Sequence, residues 1–284
     1  MFRFLVCLGL LLASSAGLAA PLPEPGSYRG HTVYRDIRYG PDKRHTLDIY
    51  LPAKPSPVTA TILMVHGGAW RVGDKAQRGV IDNKLDYWLP RGTLFASANY
   101  RLSSDLQPRE QADDIARALA HLQSLLPHWS DTAAPLVLMG HSAGAHLVAL
   151  LGADPNRAFA HGAAPWQMTI AIDSAALDVP ALMAAPHRRF YDRVFGDDAT
   201  RWQANSPRHQ LTASATPFLL ICSSQRDDAC PQARAFAASA EPLGIDADVL
   251  KQPLNHLAIN RELGKKRDYS RAVDNAIRRL TMSR

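Results

Sequence analysis

The chain has 284 residues, 46% of them hydrophobic and 20% charged, with a formal net charge of +6. That length and balance suit one globular domain with a sizeable core and exclude a disordered, repetitive or low-complexity chain. The positive charge alone would admit a nucleic-acid partner, but the basic residues are scattered. The short clusters Arg188-Arg189, Lys265-Lys266-Arg267 and Arg278-Arg279 read as solvated faces.

Residues 1–19 read as a signal peptide. Arg3 precedes an apolar run over 4–12, and a tail of small residues ends at a cleavage site after Ala19. The run is too short to span a bilayer as a permanent helix, so the expectation is an exported protein, periplasmic or secreted, with no stable membrane anchor and a single domain over 20–284. Export removes Cys7 and leaves Cys222 and Cys230 in an oxidising compartment. A disulfide between them is the expected reading, and two buried thiols are the alternative.

Residues 31–39 and 45–51 read as strands joined by the turn Gly40-Pro41-Asp42-Lys43, with Leu47, Ile49 and Leu51 alternating with polar neighbours. The continuous apolar run 60–65 suits a parallel strand buried on both faces, and it ends in His66-Gly67-Gly68-Ala69-Trp70. A helix over 80–89 and a strand over 94–98 follow. From Pro108 the period changes: Ala112, Ile115, Ala116, Leu119, Leu122 and Leu126 recur at helical spacing, and Pro127 ends the pattern.

Residues 135–139 are a strand, Gly140-His141-Ser142-Ala143-Gly144 a tight turn, and a helix opens near Ala143. The segment 168–172 is another strand. Residues 173–216, interrupted by Pro180, Pro186 and Pro207, allow a small helical excursion but no large cap. A strand over 217–222, a helix over 232–240, a strand over 247–250 and a closing amphipathic helix over 269–280 complete the chain. Strands alternating with helices imply a mostly parallel, doubly wound α/β sheet whose site is built from loops at the strands' carboxyl ends.

Strand, G-x-S-x-G and helix together form a nucleophile elbow, in which the serine sits on a sharp turn and its flanking glycines let strand and helix approach closely. A serine nucleophile needs a base, a group to orient that base, and donors for the oxyanion formed on attack. His256, just past the final strand, is the candidate base. The candidate acid is Asp227 or Asp228, after the strand ending at Cys222. Asp173 and Asp178, after the preceding strand, are held in reserve, and a helix cap is the plain alternative for the first pair. The N–H groups of Ala143, Gly68 and Ala69 are the candidate oxyanion donors.

These motifs together resemble the HGGxW branch of the α/β-hydrolase fold: His66-Gly67-Gly68-Ala69-Trp70, Asn99-Tyr100-Arg101-Leu102, Gly140-His141-Ser142-Ala143-Gly144 and the late His256. Leu47-Asp48-Ile49-Tyr50-Leu51-Pro52 and Gly73-Asp74-Lys75 extend the likeness over nearly all the mature chain. The branch includes carboxylesterases, feruloyl-esterase-like and acetyl-xylan-type esterases, and kynurenine formamidases. The resemblance implies an α/β-hydrolase fold with a short cap or none, no metal and no cofactor. It also implies a small-molecule ester as substrate, with Trp70 shaping the pocket. Because the family's acid precedes a Val-Pro by a few residues, Cys230-Pro231 favours Asp227 over Asp228. The expected activity is ester hydrolysis through Ser142, His256 and Asp227. An arylformamidase is the alternative, which the expected export disfavours although the helix opens Ala143-Gly144-Ala145-His146 as in formamidase-like members, and a non-catalytic binding protein on the same fold is a third reading.

Overall fold

The computed structural model describes residues 22–52, 58–130 and 134–282. The expected signal peptide, 1–19, with Cys7, lies outside the described residues.

Among the described residues nine strands form one sheet: β1 (Gly26–Tyr28), β2 (His31–Arg38), β3 (Thr46–Tyr50), β4 (Ala60–Val65), β5 (Thr93–Ala98), β6 (Leu136–His141), β7 (Met168–Ile172), β8 (Phe218–Ser223) and β9 (Ala247–Gln252). Their order is β1-β2-β3-β5-β4-β6-β7-β8-β9. The first three strands are antiparallel to their neighbours, and every pairing from β5 across to β9 is parallel. The expected fold class therefore holds.

The long helices are α1 (Arg78–Trp88), α2 (Pro108–Leu125), α3 (Ala143–Ala153), α8 (Ala229–Ala240) and α10 (Arg267–Met282). Shorter ones are α4 (Asn156–Phe159), α5 (Val179–Ala184), α6 (Phe190–Phe195), α7 (Ala199–Ala204) and α9 (His256–Arg261). Alternation along the strands divides the core between two faces. Leu63 and Val65 of β4 pack with Ile115, Leu119 and Leu122 of α2 and Leu147 of α3, whereas Ile62 and Met64 pack with Ile81 and Leu85 of α1 and Val273 and Ile277 of α10. α8 lies on the α3 side, where Phe236 meets Phe218 and Ala149. Helix α2 starts where the proline dictates: Pro108 occupies its first turn, and Gln107 and Glu110 form a reciprocal capping box.

Two elements were not expected from the sequence: β1, a short edge strand, and α9, which begins at His256 itself. The small helical excursion expected over 173–216 is present: α5, α6 and α7 stand there as isolated turns of helix, forming a short cap.

Candidate active site

Ser142 sits between β6 and α3 with φ 57° and ψ −118°, a backbone state that side chains rarely adopt. The motif glycines make that turn possible. A Cβ on Gly140 would stand 2.3 Å from the Gly144 carbonyl oxygen, and one on Gly144 2.3 Å from the Val65 carbonyl oxygen, so strand, helix and the end of β4 touch backbone to backbone. The Ser142 N–H donates to Ile172 O across 2.8 Å, anchoring the elbow to the end of β7.

His256 opens α9, whose cap is Asn255 accepting from the Ala258 N–H. Its Nε2 lies 2.9 Å from Ser142 Oγ and its Nδ1 2.6 Å from Asp173 Oδ2. The backbone carbonyl of His256 accepts from His141 Nε2 at 2.9 Å. Burial, helped by the neighbouring His256, pushes the His141 imidazole down to about 3, so it is neutral and serves as a fixed donor.

Here the structure corrects the expected acid. Asp227 is exposed, and its side chain has no hydrogen bond or ion pair among the described residues. Asp228 pairs with Arg226 Nη2 at 3.0 Å, while Asp178 accepts from the Ala181 N–H at the start of α5 and pairs with Arg208 at 2.7 Å. Asp173 stands against His256 instead. It leaves β7 with φ 57°, is buried, and accepts from the Ser223 N–H at 2.8 Å and Arg226 Nη1 at 3.1 Å as well as from His256. Burial is the largest influence on its carboxyl and pushes it up. The bonds from His256 and Ser223 and the Arg226 charge together outweigh that, holding it below the usual carboxylate range.

The loop after β8 was expected to supply the acid, and it supplies a cation. Cys222 and Cys230 are bridged, with Cα atoms 5.1 Å apart, and in the short loop between them Arg226 reaches Asp173 while Asp227 is exposed. Arg226 Nη1 also bonds the Asp173 carbonyl at 3.2 Å and lies 2.9 Å from His256 Nδ1. The legible signal for Asp173 was its place directly after the fully buried strand Met168–Ile172, beside the elbow strand. The inward turn of Arg226 left no sequence signal.

The loop after β4 folds over the serine. A Cβ on Gly67 would lie 3.0 Å from that of Ser142, so only glycine fits. Gly68 O accepts from both Arg71 N and Val72 N at 3.0 Å, and Gly68, Ala69 and Trp70 all have positive φ. The N–H groups of Gly68, Ala69 and Ala143 have no acceptor among the described residues. The loop is braced from outside: Arg44 Nη2 donates to Gly73 O at 2.8 Å, and buried Lys75 bridges Asp36 and Asp48 at 2.7 and 2.8 Å.

Trp70, expected to shape the substrate pocket, reaches the cleft wall but is only 5% exposed. Its Nε1 donates to His146 Nδ1 at 3.2 Å, and its ring meets Phe195 edge-on at 5.3 Å, so it acts chiefly as a pillar under α6. Around Ser142 lies an open cleft of about 910 Å³, walled by the loop after β4, residues 173–176, the Arg188–Tyr191 segment, the β8 loop and α9. Among the described residues no cluster of His, Cys, Asp or Glu could hold a metal ion, and no helix is long and apolar enough to cross a membrane.

A serine in an elbow at the carboxyl end of a central parallel strand, with a histidine after the last strand, defines a member of the α/β-hydrolase fold. Residues 47–240 match the model of the BD-FAE family, and the chain belongs to that family. It is 27% identical over 228 residues to Esterase LipC of Mycobacterium tuberculosis, covering 74% of this chain and 55% of that protein. It is 28% identical over 131 residues to the kynurenine formamidase of Danio rerio, covering 45% of this chain and 42% of the relative. Matches of this kind span from 24% to 56% of the curated relatives' own lengths. Esterase B from Lactobacillus Rhamnosis shares the fold with a TM-score of 0.67 at 21% identity, over 88% of this chain and 84% of that one.

Proposed function

We propose that the protein is a serine esterase acting through Ser142, His256 and Asp173. The observation that carries this reading is the continuous hydrogen-bonded line from Ser142 Oγ through both nitrogens of His256 to Asp173, opening on a cleft. His256 Nε2 takes the serine proton as Oγ attacks the ester carbonyl, and the imidazolium returns that proton to the leaving alcohol as the C–O bond breaks. Water then attacks the acyl-enzyme, giving its proton to His256, and the acid leaves as Ser142 is reprotonated. Asp173 holds the Nδ1–H tautomer throughout. The acceptor-free N–H groups of Gly68, Ala69 and Ala143 are suited to the tetrahedral oxyanion, each such donor contributing about 10²–10³ in turnover.

The test is hydrolysis of p-nitrophenyl esters from acetate to decanoate by the protein beside Ser142→Ala. Turnover abolished by S142A supports the reading, and turnover indifferent to it removes it. An arylformamidase is the second reading, favoured by the partial match to the Danio rerio enzyme; formamide turnover no faster than the uncatalysed rate rules it out. We also propose that the chain is exported, a reading supported by the Cys222–Cys230 bridge. A mature N-terminus at Ala20 is expected on expression in a secreting host, and an unprocessed Met1 in the folded protein argues against it.

A further inference from the structure

The charged side chains lining the cleft are unevenly matched. Arg188, Arg226 and Arg261 face it with Asp173 and Asp228, apart from the imidazoles of His141 and His256. Both carboxylates are engaged internally, Asp173 by His256 and Arg226 and Asp228 by Arg226. Arg261 leans on Glu262 at 3.4 Å. Arg188, exposed on the segment between α5 and α6, has no side-chain hydrogen bond or ion pair among the described residues. It lines the same cleft as Tyr191 and Arg226.

The surroundings suit an organic anion. Phe190 and Tyr191, their ring centroids 4.0 Å apart, follow Arg188 along the wall, and the strongly exposed Val72 and Leu257 line the cleft too. An apolar spacer running from the ester over these side chains would bring a terminal carboxylate to an arginine that lacks a counter-ion. Resting on the esterase reading above, we propose that this cleft selects esters bearing a carboxylate on their acyl or alcohol half, with Arg188 as the residue that selects for it.

The test compares matched probes that differ only in carboxylate against primary carboxamide. The monoadipate ester of 4-nitrophenol against its adipamate carries the charge on the acyl half, and 4-acetoxybenzoate against 4-acetoxybenzamide carries it on the alcohol half. The charged-to-neutral ratio of kcat/KM is expected to exceed one for at least one pair. It should fall about tenfold in Arg188→Gln, further in Arg188→Glu, and toward the variants' value in high salt. Arg189→Gln, outside the cleft lining, tests whether net charge alone is responsible and should leave the ratio in place. Ratios at or below one for both pairs, or ratios unmoved by R188Q and R188E while turnover still depends on Ser142, overturn the proposal and leave the esterase reading intact. Turnover independent of Ser142 removes the esterase reading instead.

Discussion

Asp173→Asn is the sharpest perturbation, because the residue is buried among donors. Oδ1 accepts from the Ser223 N–H, while Oδ2 accepts from His256 Nδ1 and Arg226 Nη1. An asparagine satisfies only one side. With its carbonyl toward Ser223, its NH2 faces Nδ1 and favours the imidazole tautomer with a proton on Nε2, which cannot accept the serine proton. Turned round, it sets the NH2 against the Ser223 N–H in a dry site. Enforcing the wrong tautomer typically lowers kcat about 10⁴-fold, or about 5.5 kcal/mol of transition-state stabilisation. Steady-state kinetics on p-nitrophenyl butyrate, beside Asp227→Asn, measures it. The expected outcome is a loss of at least about 10³ for D173N and less than about twofold for D227N, with circular dichroism unchanged in both. The reverse pattern would refute the assignment and return the acid to the β8 loop.

Gly144→Ala drives a Cβ into the Val65 and His66 carbonyl oxygens at 2.3 and 2.5 Å, and is expected to cost about 3 kcal/mol in urea titration. Gly79→Ala in α1 meets nothing within 4 Å and should gain about 0.5–1 kcal/mol. Burial lowers His66 and His146 to about 4 and His141 to about 3, below an unfolded value of about 6.5. The unfolded chain therefore takes up protons first, so this stability is complete above pH ~6.5 and is lost as pH falls toward 4. Each histidine adds about 1.4 kcal/mol per pH unit to the slope, and His146→Gln should remove one such share in urea titrations at pH 5 and 6. Replacing Cys222 and Cys230 by alanine should cost about 2.5 kcal/mol in the chain-entropy picture. Freeing the Arg226 loop should also lower kcat more than it raises KM; unchanged kcat would separate the bridge from the site.

The sheet was legible because its strands are apolar runs and α2 carries a clear helical stripe. The elbow was legible for a stricter reason: contact between β6, α3 and β4 leaves no room for a Cβ at Gly140 or Gly144. The acid was not. Asp173, Asp178, Asp227 and Asp228 all follow parallel strands, and local sequence gives each a turn or a cap. The contact of Asp173 with His256 joins positions 83 apart, and Arg226 reaches both residues across separations of 53 and 30, none of which local sequence records. Strand β1 has only three residues and no alternation to betray it, and α9 was hidden because its cap and first residue, Asn255-His256, read as loop.

The three residues of the proposed triad follow β6, β7 and β9, with Ser142 and His256 114 positions apart in sequence and Asp173 and His256 83 apart. No local nucleus can assemble that arrangement, because β9 must dock through β8 and β7 before His256 reaches the elbow. Closure of such distant segments makes folding slow. During refolding, recovered turnover should therefore lag behind recovered helix and core fluorescence, making catalysis itself the reporter of when the last parallel strand has joined the sheet.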